Sequence, residues 1–114
     1  MDVDTSCRNT TYKLRCPHYD YAIYFTVVRN GSGVEAMFIN CKDMHHFHWA
    51  TALMTAYTRL LRAGTAVDVV VRDMESTFDP HGPYVVPKSG GLRVNSVIHH
   101  FGILLRRDEA SART

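Results

Sequence analysis

The densest group of side chains able to do chemistry is Cys41-Lys42-Asp43-Met44-His45-His46-Phe47-His48. Thiolate, imidazole and carboxylate all bind zinc. His45 and His48 stand at i,i+3 and would share a helix face, with Cys41 just ahead of that helix. Cys41, His45 and His48 are thus the candidate metal ligands, but no second ligand pair follows at a spacing that closes a tetrahedron. Cys16-Pro17-His18 adds ligands only if the two segments meet in space. The expected state is no bound metal, with these histidines exposed in a first helical turn beside a buried Phe47.

Other chemistries are thinner. Cys7, Cys16 and Cys41 are an odd, widely spaced set with no Cys-x-x-Cys pair, which predicts reduced thiols rather than a disulfide framework or redox shuttle. No Ser or Cys sits in a nucleophile elbow or a glycine-rich oxyanion turn. Asp73 and Glu75 flank Met74 but point to different helix faces, so they are a poor acid/base pair. Gly31-Ser32-Gly33 lies in a hairpin and opens no helix, which excludes a phosphate loop. Tyr21, Tyr24, Phe25 and Phe38 are read as core; a base-stacking platform needs exposed rings beside several Lys or Arg, which these strands lack. His99-His100 reads as one exposed and one half-buried histidine on a helix.

The segment from Phe78 to Asn95 is the better functional candidate. It is long, rich in Gly and Pro, and held between two helices, where binding segments tend to lie. The competing reading is a rigid connection in which Asp79 caps the turn and Phe78 plugs the core.

The elements that must position these residues are legible from period and punctuation. Residues 11–16 alternate as a strand ended by Pro17, and 21–28 are dense in β-branched and aromatic side chains. Asn30-Gly31-Ser32-Gly33 reverses the chain into a partner strand over 34–40. Asp43 caps a helix running to Ala63, with Phe47, Ala50, Leu53, Met54, Tyr57, Leu60 and Leu61 on its buried face. Arg59 and Arg62 suit its C-terminal dipole and Gly64 its end. Thr65 and Asp68 resemble a capping box for a second helix carrying Val67, Val70, Val71 and Met74. Tyr84-Val85-Val86 is a short strand. Asn95 or Ser96 caps a last helix with Val97, Ile98, Phe101, Leu104 and Leu105 inward. The order βββαα, loop, α predicts an α+β domain: a small antiparallel sheet of about three strands with helices packed on one face. Residues 1–10 are expected to be loose, 11–107 to form a single domain, and 108–114 to be a polar tail.

Composition bounds the class. The chain has 114 residues with 46% hydrophobic and 21% charged, and a formal charge of +2. Those values exclude a disordered tail, a collagen-like repeat and a supercharged nucleic-acid clamp. Neither nucleic acid nor membrane is an expected partner. No apolar run approaches a membrane span and residues 1–10 are unlike a signal peptide, so the expected location is cytoplasmic.

Four stretches, in order, resemble the TSCPD domain associated with adenosylcobalamin-dependent (class II) ribonucleotide reductases, especially the small second chain of enzymes split into two polypeptides. They are Thr11-Tyr-Lys-Leu14, Ala22-Ile-Tyr-Phe-Thr-Val27, Met37-Phe-Ile-Asn-Cys-Lys-Asp-Met-His-His-Phe-His-Trp49 and Ser76-Thr-Phe-Asp-Pro-His-Gly-Pro-Tyr84, continued by Gly90-Gly91 and Ser96-Val-Ile98. Phe78-Asp79-Pro80-x-Gly82-x-Tyr84 and Phe47-His48-Trp49 are the most specific parts, and the resemblance covers residues 11–107. Departures are Pro83 where the family has glycine, Asn95 where it commonly has proline, and His99-His100-Phe101 in place of an acidic stretch. The eponymous Thr-Ser-Cys-Pro-Asp string is absent, although Cys16-Pro17 lies in a comparable region.

The resemblance implies a non-catalytic accessory or regulatory chain that docks on a large ribonucleoside-diphosphate reductase subunit, in deoxyribonucleotide synthesis. Reductase chemistry needs a radical cysteine, a redox pair and a barrel of several hundred residues, none of which fits here. Adenosylcobalamin and nucleotide would belong to the partner, and this chain would bind no cofactor. Phe78, Asp79, Pro80, Gly82, Tyr84, His99 and His100 are the candidate partner-binding residues. The rival reading is a free-standing, phage-encoded protein that binds and inhibits a host enzyme or defence complex. A third, a zinc enzyme built on Cys41, His45 and His48, requires stoichiometric metal. Sheet edges also leave homodimerisation open.

Overall fold

Arg8–Leu14 (β1), Ile23–Asn30 (β2) and Gly33–Cys41 (β3) form an antiparallel sheet in the order β1-β2-β3, followed by the helices Met44–Arg62 (α1) and Val67–Glu75 (α2). A two-stranded ribbon of Tyr84–Val85 (β4) and Arg93–Val94 (β5) then leads into the helix Val97–Ala112 (α3). This computed structural model describes residues 8–31 and 33–112. The α+β class and the order βββαα-α match the expectation; β5 is an addition to it. Cys7, most of the expected loose segment and Ser32 lie outside the described residues.

The sheet buries one face and leaves the other open, as alternation dictates. Ile23, Phe25, Val27, Met37 and Ile39 are buried, while Tyr24 and Phe38 between them are exposed. Phe101 of α3 stacks on Phe25 with ring centroids 5.4 Å apart. Phe47, Ala50 and Met54 of α1 and Val70, Val71 and Met74 of α2 complete the same core.

Asp43 caps α1 as expected, its Oδ1 accepting the His46 N–H at 3.2 Å. The buried stripe of α1 runs through Phe47, Ala50, Met54 and Thr58, not through Leu60, which is 44% exposed. At 100° per residue Leu60 lies about 125° from the centre of that stripe, so its apolarity alone had misassigned it. Thr58 takes the inward position because its hydroxyl donates to the Met54 carbonyl at 2.7 Å.

Two further expectations are corrected. The Thr65/Asp68 capping box does not form: Ala66 is the N-cap of α2 without a side-chain bond, and Asp68 pairs with Arg72 and Arg106 instead. Residues 108–112 are no tail but the last turns of α3, and Asp108 is 1% exposed. Its carboxylate accepts from the Tyr12 hydroxyl at 2.6 Å and from Nε of buried Arg29, whose guanidinium also meets Glu109 at 2.8 Å. Strand β1 likewise begins at Arg8, inside the segment expected to be loose. Among the described residues, no helix is long and apolar enough to cross a membrane.

Candidate functional site

The segment between α2 and β4 cannot continue the helix, because Pro80 excludes Asp79 from the α region. What replaces the helix is a tightly bonded loop. The Asp79 carboxylate accepts from the His81 backbone N–H at 2.8 Å and from the His81 ring at 3.0 Å, and the Gly82 N–H donates to the Asp79 carbonyl at 2.8 Å. Gly82 has φ +98°, a conformation that suits glycine. From outside, His18 Nε2–H donates to the Gly82 carbonyl at 3.1 Å. The Asp79 N–H donates to the Asn95 carbonyl at 3.1 Å, which ties the loop to the start of α3. Burial alone would raise the Asp79 pKa; the His81 N–H, the His81 ring and the nearby His18 outweigh it and hold the carboxyl below its usual range.

The start of α3 is joined to the end of α2. Ser96 Oγ donates to the Thr77 carbonyl at 2.6 Å and accepts the His99 N–H at 3.1 Å, so Ser96 is the cap. The Asn95 side chain donates to the Glu75 carbonyl at 2.8 Å, and the Asn95 N–H donates to His99 Nδ1 at 2.9 Å. That bond requires an unprotonated Nδ1, in keeping with a His99 pKa lowered by burial against the opposing pull of Glu75.

Beneath the loop lies a second small core of Cys16, Tyr84 and Val94, flanked by Tyr19, Val86, Leu92 and Ile103. Tyr84 is its pivot. Its hydroxyl lies 2.9 Å from His100 Nδ1, Cys16 packs in the same cluster, and the His18 ring meets its ring edge-on at 5.9 Å. Burial drives these groups to their neutral forms. The Cys16 thiol and the Tyr84 hydroxyl are pushed up, and His100 is pushed down to about 4 by burial, Arg107 and His99. A neutral His100 accepts from the Tyr84 hydroxyl, and a protonated, buried thiol is no nucleophile.

The candidate partner-binding residues therefore divide. Phe78, 68% exposed, and Pro80 face solvent; Asp79, Gly82 and His99 are partly covered; Tyr84 and His100 are buried. The reading of Phe78 as a core plug is overturned, whereas Asp79 does cap the turn. Tyr84 and His100 position the loop instead of forming its surface. His18 and His81, with ring centroids 5.8 Å apart, belong to the same cluster; sequence reasoning assigns His18 only a conditional metal role and His81 none. No local signal joins residues 16–18 to residues 79–82, which meet only in the fold.

The first candidate ligand set does not assemble. Cys41 is buried with its Sγ 3.8 Å from Met44 Sδ, while His45 and His48 are exposed and the His48 ring is bonded to the His45 carbonyl at 2.9 Å. Among the described residues, no group of three or more His, Cys, Asp or Glu is arranged to hold a metal ion. Compared with protein-family models, curated proteins and solved structures, the chain matches none.

Proposed function

We propose that this chain is a non-catalytic accessory module that docks on a ribonucleoside-diphosphate reductase, with the 78–84 loop as its contact. Phe78 is the observation that carries the reading: a phenyl ring 68% exposed on a loop bonded at Asp79, His81 and Gly82 from within and by His18 and Asn95 from without. An aromatic anchor on a preorganised backbone loses little freedom on binding, and such anchors dominate interface energetics. The identity of the partner rests on the resemblance of residues 11–107 to the TSCPD domain. Two departures from that pattern are compatible with it because they are bonded to each other. A proline at position 95 would have no N–H to give, and here the Asn95 N–H goes to His99, itself a departure. In this reading adenosylcobalamin and nucleotide are bound by the large subunit.

The test is capture from the source cell with tagged wild-type and Phe78→Ala chains, followed by mass spectrometry. Recovery of a large reductase chain in fixed ratio, lost at least ~10-fold with Phe78→Ala, supports the reading. Recovery of an unrelated enzyme or defence complex through the same residue keeps the docking loop and replaces the reductase with an inhibited host protein.

A further inference from the structure

The open face of the sheet carries a pattern of its own. Along it the strand register aligns Lys13, Tyr24 and Asn40 in one row, Thr11, Thr26 and Phe38 in the next, and Asn9, Val28 and Ala36 in a third. Tyr24 and Phe38 are diagonal neighbours on paired strands, 39% and 55% exposed. Thr11 and Thr26 are bonded through their hydroxyls at 2.8 Å across the two strands. Arg15 and Lys42, both exposed, continue the alternation one residue beyond β1 and β3, in phase with Lys13 and Asn40. None of these three cations takes part in an ion pair among the described residues, and no acidic side chain stands in the three rows.

We propose that this face binds single-stranded nucleic acid, with bases stacking on Tyr24 and Phe38 and the phosphate backbone passing Lys13, Arg15 and Lys42. Two neighbouring rings on an open sheet offer stacking platforms for successive bases, whatever their sequence. Thr11, Thr26, Asn9 and Asn40 supply hydrogen-bonding groups between them. A second copy of the chain is a poor occupant, because the three rows of this face offer its cations no acid to pair with. A duplex is equally poor, since its bases are not free to stack. Sequence analysis excluded such a platform for want of exposed rings beside cations; the register supplies both, because Lys13 comes from a strand outside the aromatic hairpin.

The test is fluorescence anisotropy with a short labelled oligothymidine, the matching oligouridine and a duplex of equal length, titrated with the whole chain. Either single strand should bind with a dissociation constant of roughly 1–100 μM near physiological salt, with log K falling against log salt at a slope of about −2, from three cations. The preferred strand identifies DNA or RNA as the source. Tyr24→Ala with Phe38→Ala, both on exposed positions, should weaken binding at least ~10-fold with an unchanged circular dichroism spectrum. As a second variant, Lys13→Gln should reduce the slope by about 0.7. The proposal is overturned by absence of single-strand binding at low salt, by equal affinity for the duplex or for polyglutamate, or by wild-type affinity when both rings are gone.

Discussion

Replacing His100 by Gln should remove most of the acid sensitivity of this fold. His100 is 5% exposed, and its Nδ1 faces the Tyr84 hydroxyl at 2.9 Å, with Arg107 and His99 as the nearby charged or titratable groups. Its pKa falls from 6.5 in the unfolded chain to about 4 in the fold. Between those values the unfolded chain holds the additional proton, so stability rises with pH across that window and is lost as pH falls through it. The full shift corresponds to about 3 kcal/mol, of which about 2 kcal/mol is lost between pH 7.5 and pH 5. His99, lowered in the same direction, adds to the slope; Asp79, lowered from 3.8, acts only below the window. Glutamine keeps an acceptor for Tyr84 and does not titrate. Urea unfolding followed by the fluorescence of the single tryptophan, Trp49, at a series of pH values gives the two slopes. Wild type should lose about 2 kcal/mol more than His100→Gln over that range. Equal losses in the two proteins would refute the assignment of a neutral, desolvated His100.

Further outcomes follow from the core. Asp108→Ala should cost about 3–5 kcal/mol in denaturant unfolding, because it leaves buried Arg29 without its principal partner; a loss below about 1 kcal/mol would mean that Arg29 rehydrates freely. On α1, Met54→Ala should cost about 2–5 kcal/mol and Leu60→Ala less than about 1 kcal/mol, since Met54 is fully buried and Leu60 is 44% exposed. The reverse order of the two losses would contradict the orientation of that helix.

Local signals were legible and distant pairings were not. The hairpin of β2 and β3, the Asp43 cap and the apolar side of α3 each depend on residues within a few positions of one another, where period and turn chemistry act directly. Asp108 was read as the start of a tail because what buries it, Arg29 and Tyr12, lies 79 and 96 residues away. The two-residue strand β5 carries too few side chains to show a period. In the candidate site, the Asx turn at Asp79 was legible, since proline and aspartate announce it. The grip of His18 on Gly82 was not, because it depends on two loops meeting across 64 residues. Exposure was the least legible property: Leu60 and Phe78 are apolar and outward, Thr58 and His100 polar and inward, and each depends on what the fold brings alongside.

The pairing of Arg29 with Asp108 also constrains the order in which the chain can acquire its structure. During synthesis β1, β2 and β3 emerge well before residue 108. A hairpin that closed early would leave the Arg29 guanidinium in water, because the carboxylates that meet it, Asp108 and Glu109, belong to α3. Desolvating a lone cation costs several kcal/mol, so before α3 docks the Arg29 guanidinium should remain in water. Only when the last turns of α3 arrive does the inward position of Arg29 become favourable, and the Tyr12 bond to the same carboxylate then fixes β1 in the same event. The inward packing of Arg29 and of the Tyr12 hydroxyl is thereby coupled to the docking of the final helix, in a chain whose first half reads as a self-sufficient meander. Any process that removes or holds back the end of α3 would leave Arg29 and the Tyr12 hydroxyl without the carboxylate that holds them.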